Sequence, residues 1–462
     1  MTDVRNNDRS LIATAEDVIP LYAGNNLPDS EQTIGMETEI GIRGTDAQGS
    51  PRLASAAECA TLVKNLSRDT AGAQLEMVSA VEYASPPFRV TETEELSRTV
   101  ETARQAFFKG IENNGFTPVD SALHDFATMD AAKANLVNRD RARGLVRGMA
   151  MHKDPAFLKV TLLCTSTQVS LSYKDPDDLL DMLKTGYALT PAIFGIFENH
   201  PTRVEGKAEP CTGSPRAQWY GQFGKDGGIP DSVLQAKDGA DLIRRHAEQV
   251  FDTQMLYYYD NSGDIVWPEE RVTFHDLQKD GLNTRSNYDL AETFIYTHIK
   301  ICNIRDAEGT PTGKRIELRA FDGGEPGLSG ATPFAIATLR DPVAREQVKG
   351  LLYEYGFAPD NPDYGTRVRE ACGAIANHNG KYLDVPFGVK PDGTKGTLKN
   401  FAKDLGDILQ LYAQRHPEAG KALAGTIEVC KTGLNKAEQA ARTEAAAKPV
   451  NDNTLRRKFG NG

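Results

Sequence analysis

Residues Thr33 to Arg43 read TIGMETEIGIR, and their two-residue alternation constrains the fold more than any other stretch. Ile34, Met36, Thr38, Ile40 and Ile42 fall on one face, and Gly35, Glu37, Glu39 and Gly41 on the other. This is the pattern of a strand with one face in a core. Glu37 and Glu39 then point the same way, with backbones roughly 6.5 Å apart. At an effective dielectric of about 20, two charges at that distance repel by about 2.5 kcal/mol. Such a strand needs either solvent or a positive partner over its polar face.

Three further stretches repeat the pattern. AQLEMVSAVEYASPP puts Gln74, Glu76, Val78, Ala80 and Glu82 on one face, which predicts a single strand ended by Pro86 and Pro87. FLKVTLLCTSTQVSLSY, Phe157 to Tyr173, predicts a strand whose polar face carries Ser166, Gln168, Ser170 and Ser172. In KRIELRAFDGG, Arg315, Glu317 and Arg319 share one face, and Ile316, Leu318 and Ala320 the other. Helical patterns cover Ala54 to Leu66, a stretch to about Asn113 with a capping box at Thr91 and Glu94, an amphipathic Pro176 to Phe197, and Ala240 to Phe251. From Thr332 the chain reads as mainly helical, near 341–356, 363–376, 395–413 and 418–445. Several strands are joined by turns or hairpins, one at Asn261 to Gly263, which favours α+β with a curved, mainly antiparallel sheet flanked by helices over a doubly wound parallel sheet.

Two cationic segments stand apart. RDRARGLVR, Arg139 to Arg147, is either a solvated helix face or a wall that meets phosphates. Residues 197–222 form a long loop with Lys207, Arg216 and Trp219, and long loops that carry cationic and aromatic residues are usually functional.

Composition narrows the classes. A net charge of -11 argues against general nucleic-acid or anionic-membrane binding, since both need a basic surface. The first residues lack the pattern of a signal peptide and no apolar run approaches about 18 residues, so the expectation is a soluble cytoplasmic protein. Cys59, Cys164, Cys211, Cys302, Cys372 and Cys430 are scattered singly without zinc spacing and read as reduced thiols.

If the four strands belong to one sheet, their polar faces bring Glu37/Glu39, Glu76/Glu82, Gln168 and Glu317/Arg319 to one concave surface. A cluster of carboxylates repels itself unless divalent cations intervene, and hard oxygen ligands suit Mg2+ better than zinc. Carboxylate-bound Mg2+ commonly also holds phosphates. Arg216, Arg319 and Lys207 are then available for anionic groups. The residues themselves thus point to a Mg-ATP site for phosphoryl transfer. There is no Walker A sequence and no GxGxxG, which excludes a P-loop or Rossmann nucleotide site.

IGMETEIGI, VEYASPP, CTSTQVSLSY, FENHP with EGK and SPRAQW, and RIELRAFDGG followed by ATPFAIATLRDP resemble, in order, the motifs of the plant and proteobacterial type of glutamate–cysteine ligase. The resemblance runs from about 33 to 440, with RIELRAFDGG its most specific piece. It implies a glutamine-synthetase-like catalytic fold that binds ATP and Mg2+ and forms γ-glutamylcysteine through a γ-glutamyl phosphate, the first step of glutathione biosynthesis. By motif, Glu37, Glu39, Glu82 and Glu317 would hold metal, with Glu76 a further candidate. Arg216 would hold the glutamate carboxylate, Arg319 would meet phosphate, and Lys207, Trp219 and Gln168 would shape the substrate pockets. The resemblance makes Arg319, Glu317 and Arg216 the catalytic set. Ser170 and Ser172 replace the family's usual Asn and Asp, and Arg216 to Trp219 is one residue short, so the glutamate-activating half matches better than the acceptor half. Two alternatives stay open: a ligase that uses a different amine, and a non-catalytic nucleotide- or metal-binding regulator. The expected layout is an irregular leader over 1–32 packed loosely on the surface, one catalytic domain over 33–445 and a flexible tail over 446–462. The expected partners are glutamate, cysteine or another amine, and ATP, with no nucleic acid and no membrane; a homo-oligomer stays open.

Overall fold

The alternation that begins at Thr33 sits at the centre of the fold. In a computed structural model, which describes residues 8–152, 162–208, 214–221, 227–306, 310–378 and 382–447, six strands define the frame. They are β1 (Thr33–Thr45), β2 (Ala73–Leu75), β3 (Ala80–Ala84), β4 (Ser166–Leu171), β5 (Ile299–Arg305) and β6 (Pro311–Asp322). Their spatial order is β5-β6-β4-β1-β3-β2, and every neighbouring pair is antiparallel. Short strands Pro51–Leu53, Phe88–Arg89 and Thr117–Val119 pair with β1 to complete a nine-stranded sheet.

The longer helices are α1 (Ala56–Asp69), α2 (Thr93–Asn113), α3 (Asp140–His152), α4 (Pro176–Phe197), α5 (Pro215–Gly221), α6 (Gly239–Phe251), α7 (Arg285–Thr293) and α8 (Gly327–Leu339). Beyond them lie α9 (Pro342–Glu354), α10 (Tyr364–Ala376), α11 (Leu398–Arg415), α12 (Pro417–Thr432) and α13 (Lys436–Ala447). Mixed helix and antiparallel sheet is the α+β architecture that the alternating strands predict. Ile34, Met36, Val169, Leu171, Ile316 and Leu318 are buried on one face of the sheet, with α4 packed on β6 and α8 on β4. Covering both sheet and outer helices leaves α4 without a solvent side. Every residue from Met182 to Phe197 is buried, so the helix expected to be amphipathic is a central core helix.

Four further expectations change. The stretch from Gln74 to Glu82 is not one strand: the chain reverses after Leu75, so that Gln74 pairs with Glu82 and Leu75 with Val81. The leader does not pack loosely, because Val18 and Tyr22 are fully buried and the Tyr22 hydroxyl donates to the Glu292 carboxylate at 2.7 Å. Helix α2 begins at Thr93, where the Glu94 carboxylate accepts from the backbone N–H of Glu418 rather than closing a box with Thr91. The predicted C-terminal helix breaks at Gly433, whose φ of 69° ends α12. Of the tail, residues 448–462 lie outside the described residues, as do 157–161 of the third predicted strand.

Candidate active site

Cross-strand register places the polar side chains side by side. Lys300 on β5 faces Glu317 on β6, Glu37 on β1 faces Gln168 on β4, and Glu39 faces Glu82 on β3. The Glu39 carboxylate accepts from the Ser166 backbone N–H at 2.7 Å, the Ser166 hydroxyl at 3.1 Å and Gln168 Nε2 at 3.1 Å. At the other end, Glu317 accepts from Arg319 Nη1 at 2.9 Å and Arg315 Nη2 at 3.4 Å, and Arg315 also reaches Glu37 at 3.5 Å. The positive partner that the paired glutamates require is therefore Arg315 for Glu37, while Glu39 relies on neutral donors.

The two ends carry opposite electrostatics. Burial pushes the Glu39 carboxyl up to about 7, helped by the Glu76 charge and opposed by Arg216 and Arg319. Burial also lifts Glu82 well above the usual carboxylate range, with Glu76, Glu37 and Glu39 adding to it, and raises Glu37 in the same way with Glu317. Glu317 goes the other way: burial would raise it, but Arg319 and Arg315 together hold it below the ordinary value. Thus the β1–β3 end behaves as a crowded acid cluster, and the β6 end as an ion-paired one.

The carboxylate oxygens of Glu39, Glu76 and Glu82 lie within 4.8 Å of one another. An octahedral cation with ligands at about 2.1 Å sets its oxygens roughly 3 to 4.2 Å apart, so the three groups fit around one ion. Glu82 is 2% exposed, and its Oε2 is buried without a hydrogen-bond partner, as is Glu37 Oε2. The orphaned Glu82 oxygen in an all-oxygen donor set suits a hard divalent cation such as Mg2+, whereas Glu37 lies outside this group and pairs with Arg315. Glu76 joins this cluster because the reversal after Leu75 folds it back onto Glu82.

A cavity opens over this face. Its floor includes Glu39, Glu76, Ser166 and Gln168, and the cations Arg139, Arg216, Lys300 and Arg319 line it. Its apolar lining comes from Leu75 and Val78 of the hairpin, Val137 and Leu162, and Ala142 and Leu145 of α3. Arg139, from the arginine-rich run, therefore reaches the cavity, while Arg147 stacks over Trp267 at 5.8 Å.

The structure brings most of the expected residues together, with two corrections. Arg216, on α5, is 5% exposed; its Nε donates to Asp322 at 2.7 Å and its Nη2 to the Thr165 carbonyl at 2.6 Å. It lines the cavity as a buried, ion-paired group rather than as an isolated cation. Lys207 is exposed on the small hairpin Arg203–Val204/Lys207–Ala208 and is not among the cavity's lining residues. The backbone of Trp219 lies in α5, and its side chain is outside the described part. Lys300 and Tyr220 line the cavity without having been singled out. The alternation of Ile299, Ile301 and Lys300, Cys302 is the signal that marks β5.

Among the described residues Cys59, Cys164, Cys302, Cys372 and Cys430 have free thiols, and no helix is long and apolar enough to cross a membrane. No family model matches the sequence, and no curated protein matches it. Among solved structures, the chain is similar to the glutamate–cysteine ligase of Francisella tularensis in complex with AMP, at 14% identity and a TM-score of 0.49, over 92% of this chain and 86% of that one. It is also similar to the ligase PafA in its complex with the prokaryotic ubiquitin-like protein Pup, at 10% identity and a TM-score of 0.36, over 94% and 71%. A bifunctional glutathione synthetase from Pasteurella multocida matches at 10% identity and a TM-score of 0.41 over 90% of this chain, which spans 49% of that one.

Proposed function

We propose that this chain is an ATP-dependent carboxylate–amine ligase that phosphorylates the γ-carboxylate of glutamate and joins the acyl group to the amine of cysteine. The observation that carries the reading is the juxtaposition, over one sheet face, of a three-carboxylate cation cradle with the cations Arg139, Arg216, Lys300 and Arg319. Phosphoryl transfer to a carboxylate brings two anions together and spreads charge over the transferred oxygens, so positioning and charge stabilisation are the main demands. A Mg2+ held by Glu39, Glu76 and Glu82 supplies neutralisation of phosphate oxygens when bound. Arg319, held at 2.9 Å by Glu317, offers its remaining donors to the transferring phosphoryl group. Arg216, fixed by Asp322 and the Thr165 carbonyl, presents a cation to the carboxylate of the acid. Once the acyl phosphate forms, the amine attacks its carbonyl carbon, the C–N bond forms, and the C–O bond to phosphate breaks with loss of a proton from nitrogen.

A second reading keeps the acid and ATP but changes the amine. It is favoured by the apolar lining of Leu75, Val137, Leu145 and Leu162, which suits an amine with a hydrophobic side chain. The test is phosphate release from ATP in the presence of glutamate and a panel of amines. Dependence on glutamate and cysteine together supports the first reading, and dependence on glutamate with another amine the second. Tight nucleotide binding without turnover, under any amine, overturns both.

A further inference from the structure

The cradle exists only because the chain turns back between Glu76 and Glu82. On a single extended strand these two residues would stand roughly 20 Å apart, at about 3.3 Å per residue, whereas their carboxylate oxygens lie within 4.8 Å. The reversal contains neither glycine nor proline. It is made at Ser79, whose φ of 46° lies in the left-handed region, where a residue with a side chain is uncommon. Backbone held in that region persists when its surroundings over-determine it, and here they do.

Ser79 is 1% exposed. Its hydroxyl donates to the Ile42 carbonyl at 2.6 Å and accepts from the Ala54 N–H at 2.7 Å, and its carbonyl accepts from the Ile42 N–H at 2.7 Å. Two of these bonds tie the turn to β1 at Ile42, three residues from Glu39, and the third ties it to Ala54. Within the same turn the Glu76 N–H donates to the Ala80 carbonyl at 3.3 Å, and the Glu76 carboxylate accepts from the Met77 N–H at 2.8 Å. The direction of the Glu76 carboxylate is therefore set by the backbone of the turn, which Ser79 holds on the β1 side and the Val137 N–H, donating to the Met77 carbonyl at 3.0 Å, holds on the other.

We infer that Ser79 is a positioning residue for the divalent-cation site, acting through Glu76; the inference rests on the proposed role of Glu39, Glu76 and Glu82 as cation ligands. Removing the hydroxyl loosens the turn on its β1 side and releases the Glu76 carboxylate from its neighbours, while Glu39 and Glu82 stay on their strands. Groups that orient a metal ligand without touching the ion commonly change metal affinity by about 10- to 100-fold.

The test is a double-mutant cycle on the full chain without nucleotide, with Mn2+ as the probe and binding read by electron paramagnetic resonance. Ser79→Ala and Glu76→Gln are each expected to weaken Mn2+ binding by about tenfold or more. The double variant is expected to lose no more than Glu76→Gln alone, because both act on one carboxylate. Wild-type affinity in Ser79→Ala, or losses that simply multiply in the double variant, would overturn the inference, since a general effect on stability does not couple to Glu76. Ser79→Gly, which accepts the positive φ without strain but lacks the hydroxyl, replaces Ser79→Ala in the cycle if the latter fails to fold. Absence of Mn2+ binding in the wild type would instead sink the cation reading itself.

Discussion

Glu39→Gln is expected to stabilise the protein without metal and to destroy its response to metal. The Glu39 carboxyl sits at about 7 because it is buried and because Glu76 lies beside it. Relative to an ordinary carboxyl at 4.5, that shift means that ionising it in the folded state costs about 3 kcal/mol at most. A folded value raised in this way gives proton-linked stability that is fully present below about 4.5 and is lost as the pH rises through about 7. An amide never incurs that loss. Its oxygen can keep the bond from the Ser166 N–H, and its NH2 can donate to Gln168 if that side chain flips, which also satisfies the buried Gln168 Oε1 that has no partner. Against this stands the loss of the stronger bonds to a charged acceptor, about 1 kcal/mol. The net gain is about 1 to 2 kcal/mol at pH 8 and close to zero at pH 5. For a chain of 462 residues this corresponds to roughly 1 to 2 °C in Tm. Scanning calorimetry in EDTA from pH 5 to 8 measures it. With Mg2+ at about a hundred times its Kd, the wild type gains about 2.7 kcal/mol and overtakes the variant. A variant less stable than wild type in EDTA at pH 8, or a gap that does not change with pH, refutes the reasoning.

Three other outcomes follow from the same geometry. Arg319→Gln leaves Glu317 with Arg315 and is expected to lower kcat about a thousandfold, about 4 kcal/mol of transition-state stabilisation, with an unchanged fold by circular dichroism; near-normal kcat would remove Arg319 from the chemistry. Arg216→Lys is expected to raise the KM for the acid far more than that for ATP, because an ammonium cannot hold Asp322, the Thr165 carbonyl and a carboxylate in a planar fork; equal rises would assign Arg216 to the architecture. Glu292→Gln strips the buried Lys314 and His246 of their shared carboxylate and is expected to cost about 3 to 5 kcal/mol near neutral pH. Burial would raise the Glu292 carboxyl, but Lys314 and His246 hold it far below the usual range. Its contribution is therefore present above the ordinary carboxylate value and fades as the pH falls below it, so denaturant melts of wild type and variant should converge on acidification.

The strand with Glu37 and Glu39 was legible because a half-buried strand writes its two faces into alternate residues. The same rule failed from Gln74 to Glu82, where alternation continues through a reversal made by Ser79. Ordinary punctuation by glycine or proline is missing there, and the left-handed turn is imposed by Ile42 and Ala54, which are distant in sequence. Arg216 was visible as a cationic residue of a long loop, but its partner Asp322 lies 106 positions away, a pairing that one sequence does not reveal. The leader misled because its buried residues, Val18 and Tyr22, are isolated among polar ones and find their core against α6, α7 and β6, which are distant in sequence. Lys207 had the right chemistry in the right loop but sits on the solvent side of a small hairpin. Burial all round erased the amphipathic pattern expected of α4.

The central claim is that the carboxylate of the acid substrate attacks the terminal phosphorus of ATP within the cavity between Arg216 and Arg319. Incubating the protein with Mg-ATP, an accepted amine and glutamate labelled with 18O in its γ-carboxylate follows that oxygen directly. Formation of an acyl phosphate and its displacement by the amine transfers one labelled oxygen to the released phosphate, seen as an isotope shift in the 31P spectrum. Released phosphate carrying one 18O is the predicted result. Amide product accompanied by unlabelled phosphate would contradict the account.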